Sequence, residues 1–448
     1  MKYNTHTLDN GLRIIHLPSD SKVVYCGYQI NAGTRDEEPG EEGLAHFCEH
    51  VTFKGTERRK AWHILNCLES VGGDLNAYTN KEGTVYYSAI LKEHIARAVD
   101  LLSDIVFHSV YPQAEIDKEV EVICDEIESY NDSPAELIYD EFENILFKDS
   151  SLGHNILGTA EQVRSFTTED ALRFTRKLYR PDNAIFFAYG DIDFKKLVKL
   201  IQKALGECPK GRELACSTDC NSAETPTEKR IAEETPTGET PTEEMEAGDA
   251  NHKVQSSKFN VQSKVAGQTI VMQKNTHQAH VMIGTRAYDV NDDRRMPLYL
   301  LNNMLGGPGM NAKLNLALRE HNGLVYTVES TMVAYGDTGT WSIYFGCDEH
   351  DVKRCLRLVR KELDKFMQKP LSDAQLKAAK KQIKGQIGVA CDNRENFALD
   401  FGKSFLHYGW EKNVDRLYEQ VDAITAAQIQ AVAQELFDKD RLTTLIFK

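Results

Sequence analysis

No stretch of the 448 residues runs eighteen or more apolar residues together, so the sequence holds no candidate membrane-spanning helix. The opening MKYNTHTLDNGLRIIHL has neither the apolar core nor the small-residue cleavage site of a signal peptide, and it is poor in arginine. Ten cysteines are present, yet none form a CxxC pair, the pattern of reduced thiols. Cys208, Cys216 and Cys220, loosely spaced in polar surroundings, read as free thiols rather than a metal knuckle. These absences lead us to expect a cytoplasmic protein without a membrane partner. Cationic excess is missing too: 53 Lys and Arg face 68 Asp and Glu, and a net charge of −15 argues against a nucleic-acid partner. The Gly306-Gly307-Pro308-Gly309 loop is followed by no Gly-Lys-Ser/Thr, so it is not a phosphate loop.

What is present describes a soluble globular protein, 41% hydrophobic and 27% charged, long enough for two or more domains. Its most telling stretch is GLAHFCEHVTFKGT, Gly43 to Thr56. On a helix, residues four apart lie one turn above each other, so His46 and His50 aim two imidazoles at one point, flanked by Glu49. Two imidazoles suit Zn2+, a third protein ligand completes a catalytic site with one open position, and an unligated carboxylate beside it is placed as a general base. This spacing is the inverzincin pattern HxxEH. Chance placement on a solvated helix is the plain alternative. The apolar flanks Leu44, Ala45, Val51 and Phe53 point instead to a partly buried helix. Burying two histidines and a glutamate without partners is costly, and a metal explains them best.

The chain divides into 1–207, an acidic low-complexity stretch 208–258, and 259–448. The middle stretch contains ETPTEKRIAEETPTGETPTEEMEAGD, too poor in large apolar residues to build a core, and reads as a disordered linker. The flanking parts look like copies of one unit. Gly83-Thr84 starts the strand VYYSAIL with Glu93-His94 opening a helix; Gly339-Thr340 starts WSIYFGC with Glu349-His350 doing the same. Gly33-Thr34-Arg35 and Gly284-Thr285-Arg286 are each expected to close an early strand. Each part ends on a Thr-initiated amphipathic helix and an apolar strand, AIFFAYG or TTLIF. Where the first copy has HFCEHV the second has LYLLNNML, so only one copy can hold metal.

A third ligand should come from another element. In the helical stretch EVEVICDEIES, Glu119 and Glu126 are two turns apart and share a face beside the apolar stripe Val120, Ile123 and Ile127. Acidic residues on helices are usually solvated, and spacing alone leaves Glu126 open between the two readings. HFCEH with Glu126 placed 76 residues after His50, together with GGDLNAYT, EVEVICDEI, LGGPGMNAKL and LREHNGLVY, resembles the pitrilysin-type zinc peptidase family. Its mitochondrial-processing-peptidase-β-like and smaller bacterial members look most similar, and the resemblance runs through nearly the whole chain outside 208–258.

The resemblance implies His46, His50 and Glu126 as ligands of one Zn2+ per chain, Glu49 as the base that activates water, and Glu119 as a supporting acid of the catalytic set. Cys48, where the family usually has leucine, should point away and pack. Asn76 and Ala77 match an edge strand to which a peptide adds as a further strand, whereas GGDLNAYT in isolation reads as a turn entering a strand. Arg319 and Tyr326 match a pair that reaches the scissile carbonyl; taken alone they are a surface Arg and a strand Tyr. The fold implied is α+β, two homologous halves, each a mostly antiparallel sheet with helices packed on one face, facing each other as a clamshell. The function implied is a metalloendopeptidase for unfolded peptides, associating as a homodimer or with a metal-free homologous subunit. Rival readings are a non-catalytic peptide-binding subunit of the same fold and a zinc hydrolase of small amides.

Overall fold

The computed structural model describes residues 2–206, 267–274 and 276–448. The linker reading for 208–258, with its three cysteines, lies outside the described residues. The first half runs β1 (Asn4–Thr7), β2 (Arg13–Pro18), β3 (Val23–Ile30), α1 (Leu44–Thr52), α2 (Ala61–Glu69), β4 (Asp74–Thr79) and β5 (Thr84–Leu91). It continues with α3 (Ile95–Phe107), α4 (Gln113–Asn131), α5 (Pro134–Leu146), α6 (Ala160–Val163), α7 (Thr168–Leu178), β6 (Ala184–Gly190) and α8 (Phe194–Leu205). The second half has β7 (Thr269–Met272), β8 (Ala279–Ala287), α9 (Arg295–Gly306), β9 (Val325–Ala334) and β10 (Gly339–Cys347). There follow α10 (Val352–Gln368), α11 (Asp373–Cys391), α12 (Arg394–Tyr408), α13 (Val414–Ala423), α14 (Ala426–Leu436) and β11 (Thr443–Phe447).

Two sheets result, ordered β1-β2-β6-β3-β5-β4 and β7-β11-β8-β10-β9. Apart from the parallel pairs β2·β6 and β11·β7 the neighbours are antiparallel. The second order repeats the first strand for strand once β1 is set aside. Capping boxes at Thr167 and Thr425 start the equivalent helices α7 and α14.

One correspondence drawn from the sequence is corrected. Gly33 lies beyond the end of β3, but Gly284-Thr285-Arg286 lies within β8, where Arg286 pairs with Thr340. The register partner of Thr84 in the first sheet is Ile30, so the two Gly-Thr-Arg strings are not equivalent. Gly284 answers a different need: a Cβ there would meet the Trp341 carbonyl oxygen at 2.2 Å.

Most helices pack on one face of their own sheet, around Tyr28, Phe47, Tyr86, Ile105 and Phe186 in the first half and Trp341, Phe345, Leu301 and Phe437 in the second. The other face of each sheet is covered by a single helix from the opposite half. Helix α12 lays Phe397, Ala398 and Phe401 on Ile15, Ile185 and Phe187, while α5 lays Leu137, Ile138 and Phe142 on Met282, Leu445 and Phe447. An arginine on each sheet receives the end of the incoming helix. Arg13 donates to the Phe405 and Leu406 carbonyls (3.0 and 2.9 Å) and Arg286 to the Leu146 carbonyl (2.7 Å). This exchange holds the halves together.

Candidate metal centre

Helix α1 forms where the sequence separates its faces. Leu44, Ala45, Phe47, Cys48 and Val51 are fully buried, each large side chain contributing roughly 1.5–3 kcal/mol. His46, Glu49 and His50 occupy the remaining face, which packs toward β4 and α4. Cys48 is packed among the buried residues, and burial pushes its thiol well up.

Helix α4 brings Glu126 to that face. Its Oε2 lies 3.2 Å from His50 Nε2 and its Oε1 3.8 Å from His46 Nε2. One ligand atom from each of the three lies within 4.8 Å of the others. Ligands about 2.1 Å from a tetrahedral ion stand about 3.4 Å apart, so this donor set fits Zn2+ with small adjustments. His50 Nδ1 bonds Glu119 Oε1 at 3.0 Å, and Glu119 Oε2 accepts from Lys54 Nζ at 2.5 Å. A carboxylate on the outer nitrogen fixes the tautomer that turns Nε2 toward a metal. His46 Nδ1 is buried and has no hydrogen-bond partner among the described residues.

Electrostatics divide the two imidazoles. Burial, aided by His50, lowers His46 to about 4. Burial also disfavours charge on His50, but hydrogen bonds to Glu119 and Glu126 outweigh it and raise its pKa to about 9. Glu126 is lowered chiefly by its bond to His50. Glu49 is raised by burial, against the hydrogen bond it accepts from Thr79 Oγ1 at 2.6 Å. Glu49 is therefore tied to the last residue of β4.

Strand β4 is an edge of its sheet, with Asn76 pairing Tyr87 and Ala77 pairing Tyr86 on β5 and the other edge free among the described residues. Arg319 sits in a short π-helical turn, Asn315–Glu320, and Tyr326 at the start of β9, 83% exposed. The guanidinium lies 5.8 Å from the Tyr326 ring centre. Neither side chain bonds His46, Glu49, His50 or Glu126 of the same chain among the described residues.

Sequence reasoning missed Thr79 and Lys54. Strand alternation puts Thr79 on the face of Ala77, and Lys54 follows His50 by four residues, so both were within reach of spacing arguments.

The second half carries the faded counterpart. Tyr299, Asn302 and Asn303 on α9 keep the i, i+3, i+4 spacing of His46, Glu49 and His50. Gln386 is the fourteenth residue of α11, as Glu126 is of α4. All four line one cavity of about 800 Å3, where amides and a phenol stand in place of imidazole and carboxylate.

Residues 14–160 match the model of the insulinase family, peptidase family M16, and residues 165–383 match the model described as the peptidase M16 inactive domain. An uncharacterized zinc protease of Streptomyces coelicolor is 30% identical over 435 residues, spanning 97% of this chain and 87% of that protein. The β subunit of the mitochondrial-processing peptidase of Saccharomyces cerevisiae is 30% identical over 436 residues, 95% of this chain and 86% of that protein. A protease from Helicobacter pylori shares the fold with a TM-score of 0.82 at 20% identity, covering 100% of this chain and 99% of that one. Among the described residues no helix is long and apolar enough to cross a membrane. With two relatives this similar along almost their whole length, the chain belongs to the insulinase (M16) family of metallopeptidases.

Proposed function

We propose that the chain is a zinc metalloendopeptidase that hydrolyses unfolded peptides, with His46, His50 and Glu126 as the metal ligands. The convergence of those three side chains, with Glu49 beside them and outside the set, carries the reading. Zinc in this cradle supplies Lewis acidity, lowering the pKa of a water toward neutrality and polarising the scissile carbonyl. Glu49 takes the proton from the attacking water and delivers it to the leaving amine nitrogen as the C–N bond breaks. Burial lifts its pKa toward the working range, and the Thr79 hydroxyl keeps the carboxylate aimed. Glu119, held by Lys54, keeps the His50 ring turned inward.

Substrate adds to the free edge of β4, its backbone pairing with that of Asn76 and Ala77. Arg319 holds peptide carbonyls and Tyr326 donates to the developing oxyanion. Both lie in the second half, paired with each other and turned to solvent, which favours their use across an interface. Two chains therefore associate, as a homodimer or with a metal-free homologous subunit.

The test is hydrolysis of a panel of unfolded peptides and small amides by zinc-loaded protein, with Glu49→Gln as control. Chelator-reversible cleavage of peptides alone, abolished in Glu49→Gln, is expected. Equal and negligible rates from both proteins that bind zinc would leave a non-catalytic subunit, and preference for small amides would make it an amidohydrolase.

A further inference from the structure

Helix α1 begins without a cap of its own. Its N-cap is Gly43, in the left-handed region at φ 97° and with no side chain to accept from the first turn. Glycine is required there, because a Cβ would meet the Leu157 carbonyl oxygen at 2.7 Å and the Gly158 Cα at 2.8 Å. The usual Ser, Thr, Asp or Asn is thus excluded by the packed loop, and the orphan N–H groups of the helix need an acceptor from elsewhere.

Glu37 supplies it. Its side chain is 1% exposed; Oε2 accepts from Gly43 N (3.0 Å) and Oε1 from Ala45 N (2.8 Å), one residue before His46. His154 Nε2 stands 2.8 Å from the same Oε2, and the His154 carbonyl accepts from the buried Lys81, two residues beyond Thr79. The carboxylate also places negative charge at the positive end of the helix. Two bonds to successive parts of one turn fix both the axial position and the rotation of α1. That rotation decides whether His46, Glu49 and His50 face Glu126.

We propose that Glu37, braced by His154, is a positioning residue that sets the register of α1 against α4 and so tunes zinc affinity and turnover. The proposal rests on the reading of the metal centre given above. Glutamine at position 37 has one acceptor oxygen and turns an amide toward a backbone N–H, so one of the two bonds is lost. Aspartate is one methylene short and reaches only one N–H.

Full-length wild type, Glu37→Gln, Glu37→Asp and His154→Ala would be prepared metal-free. Zinc dissociation constants would be read by competition with a chromophoric chelator, kcat and KM with an unfolded peptide, and melting temperature alongside. For Glu37→Gln we expect zinc bound on the order of tenfold more weakly and kcat reduced on the order of tenfold at unchanged KM, with Glu37→Asp between it and wild type. The His154 side chain is partly buried, 19% exposed, and belongs to neither hydrophobic core, so His154→Ala is the milder variant, and a several-fold change in the same direction is expected. The inference is overturned if His154→Ala and every Glu37 variant that folds bind zinc and turn over as wild type does, whatever their melting temperatures. Should wild type bind zinc in a Glu37-dependent way yet cleave no peptide, the positioning role stands and the peptidase reading falls. Peptidase activity indifferent to Glu37 gives the reverse.

Discussion

Replacing Glu119 by Gln is the most informative single change at the metal centre. The glutamate is 11% exposed at its side chain, keeps its shape in the variant, and touches the proposed ligand His50 rather than the proposed metal position itself. What disappears is charge: the bond from His50 Nδ1 becomes neutral and Lys54 loses its ion-pair partner. A hydrogen bond to a charged group contributes about 1.5–3 kcal/mol and a neutral one about 0.5–1.5, so the loss at the centres of these ranges is about 1.2 kcal/mol. That converts to a zinc dissociation constant about eightfold weaker. Glu119→Ala removes the acceptor altogether and should approach a loss of about 100-fold. Chelator competition on metal-free protein above pH 9, where His50 is neutral without zinc, reads both, with circular dichroism confirming the fold. Unchanged affinity in Glu119→Ala would refute the claim that His50 is a ligand oriented from behind.

Other outcomes follow from the same geometry. His50 is protonated below about 9 in the metal-free protein and must be neutral to ligate, so apparent zinc affinity should rise about tenfold per unit between pH 7 and 8 and flatten above 9; titration calorimetry checks this. Thr79→Val removes a hydrogen bond that lowers the Glu49 pKa, so the acid limb of the kcat/KM profile should move to higher pH. Phe401→Ala opens the seam between α12 and the first sheet and should cost about 3–5 kcal/mol, with the two halves melting at separate temperatures in calorimetry. Glu82, which accepts from Arg35 (2.5 Å) and from Gly336 N (3.0 Å) of the second half, should cost about 3 kcal/mol on replacement by Ala, read by urea denaturation.

The parts of this molecule governed by local periodicity were legible in the sequence. The i, i+3, i+4 trio of α1, the strands β4 and β5, and the shared face of Glu119 and Glu126 all follow from helix and strand repeats. So did the duplication, because the turn and cap strings around β5 and β10 repeat at one interval. The Gly-Thr-Arg match misled, since glycine in β8 makes room for the neighbouring strand at Trp341 and glycine after β3 makes room for the turn between Asn80 and Gly83. The exchange of α5 and α12 was invisible. An amphipathic pattern says that a face is buried, not which half buries it. Glu37 was hidden for a related reason: it lies in a loop six residues before Gly43, and nothing in spacing links it to a helix start.

The proposed chemistry requires three side chains from two helices, His46, His50 and Glu126, to hold one zinc ion. A zinc-edge anomalous difference map from crystals grown with equimolar zinc tests it most directly. One strong peak per chain is expected, about 2.0–2.2 Å from His46 Nε2, His50 Nε2 and a Glu126 oxygen, lost in Glu126→Ala. A peak elsewhere on the chain, or none at these three residues while zinc remains bound, would contradict it.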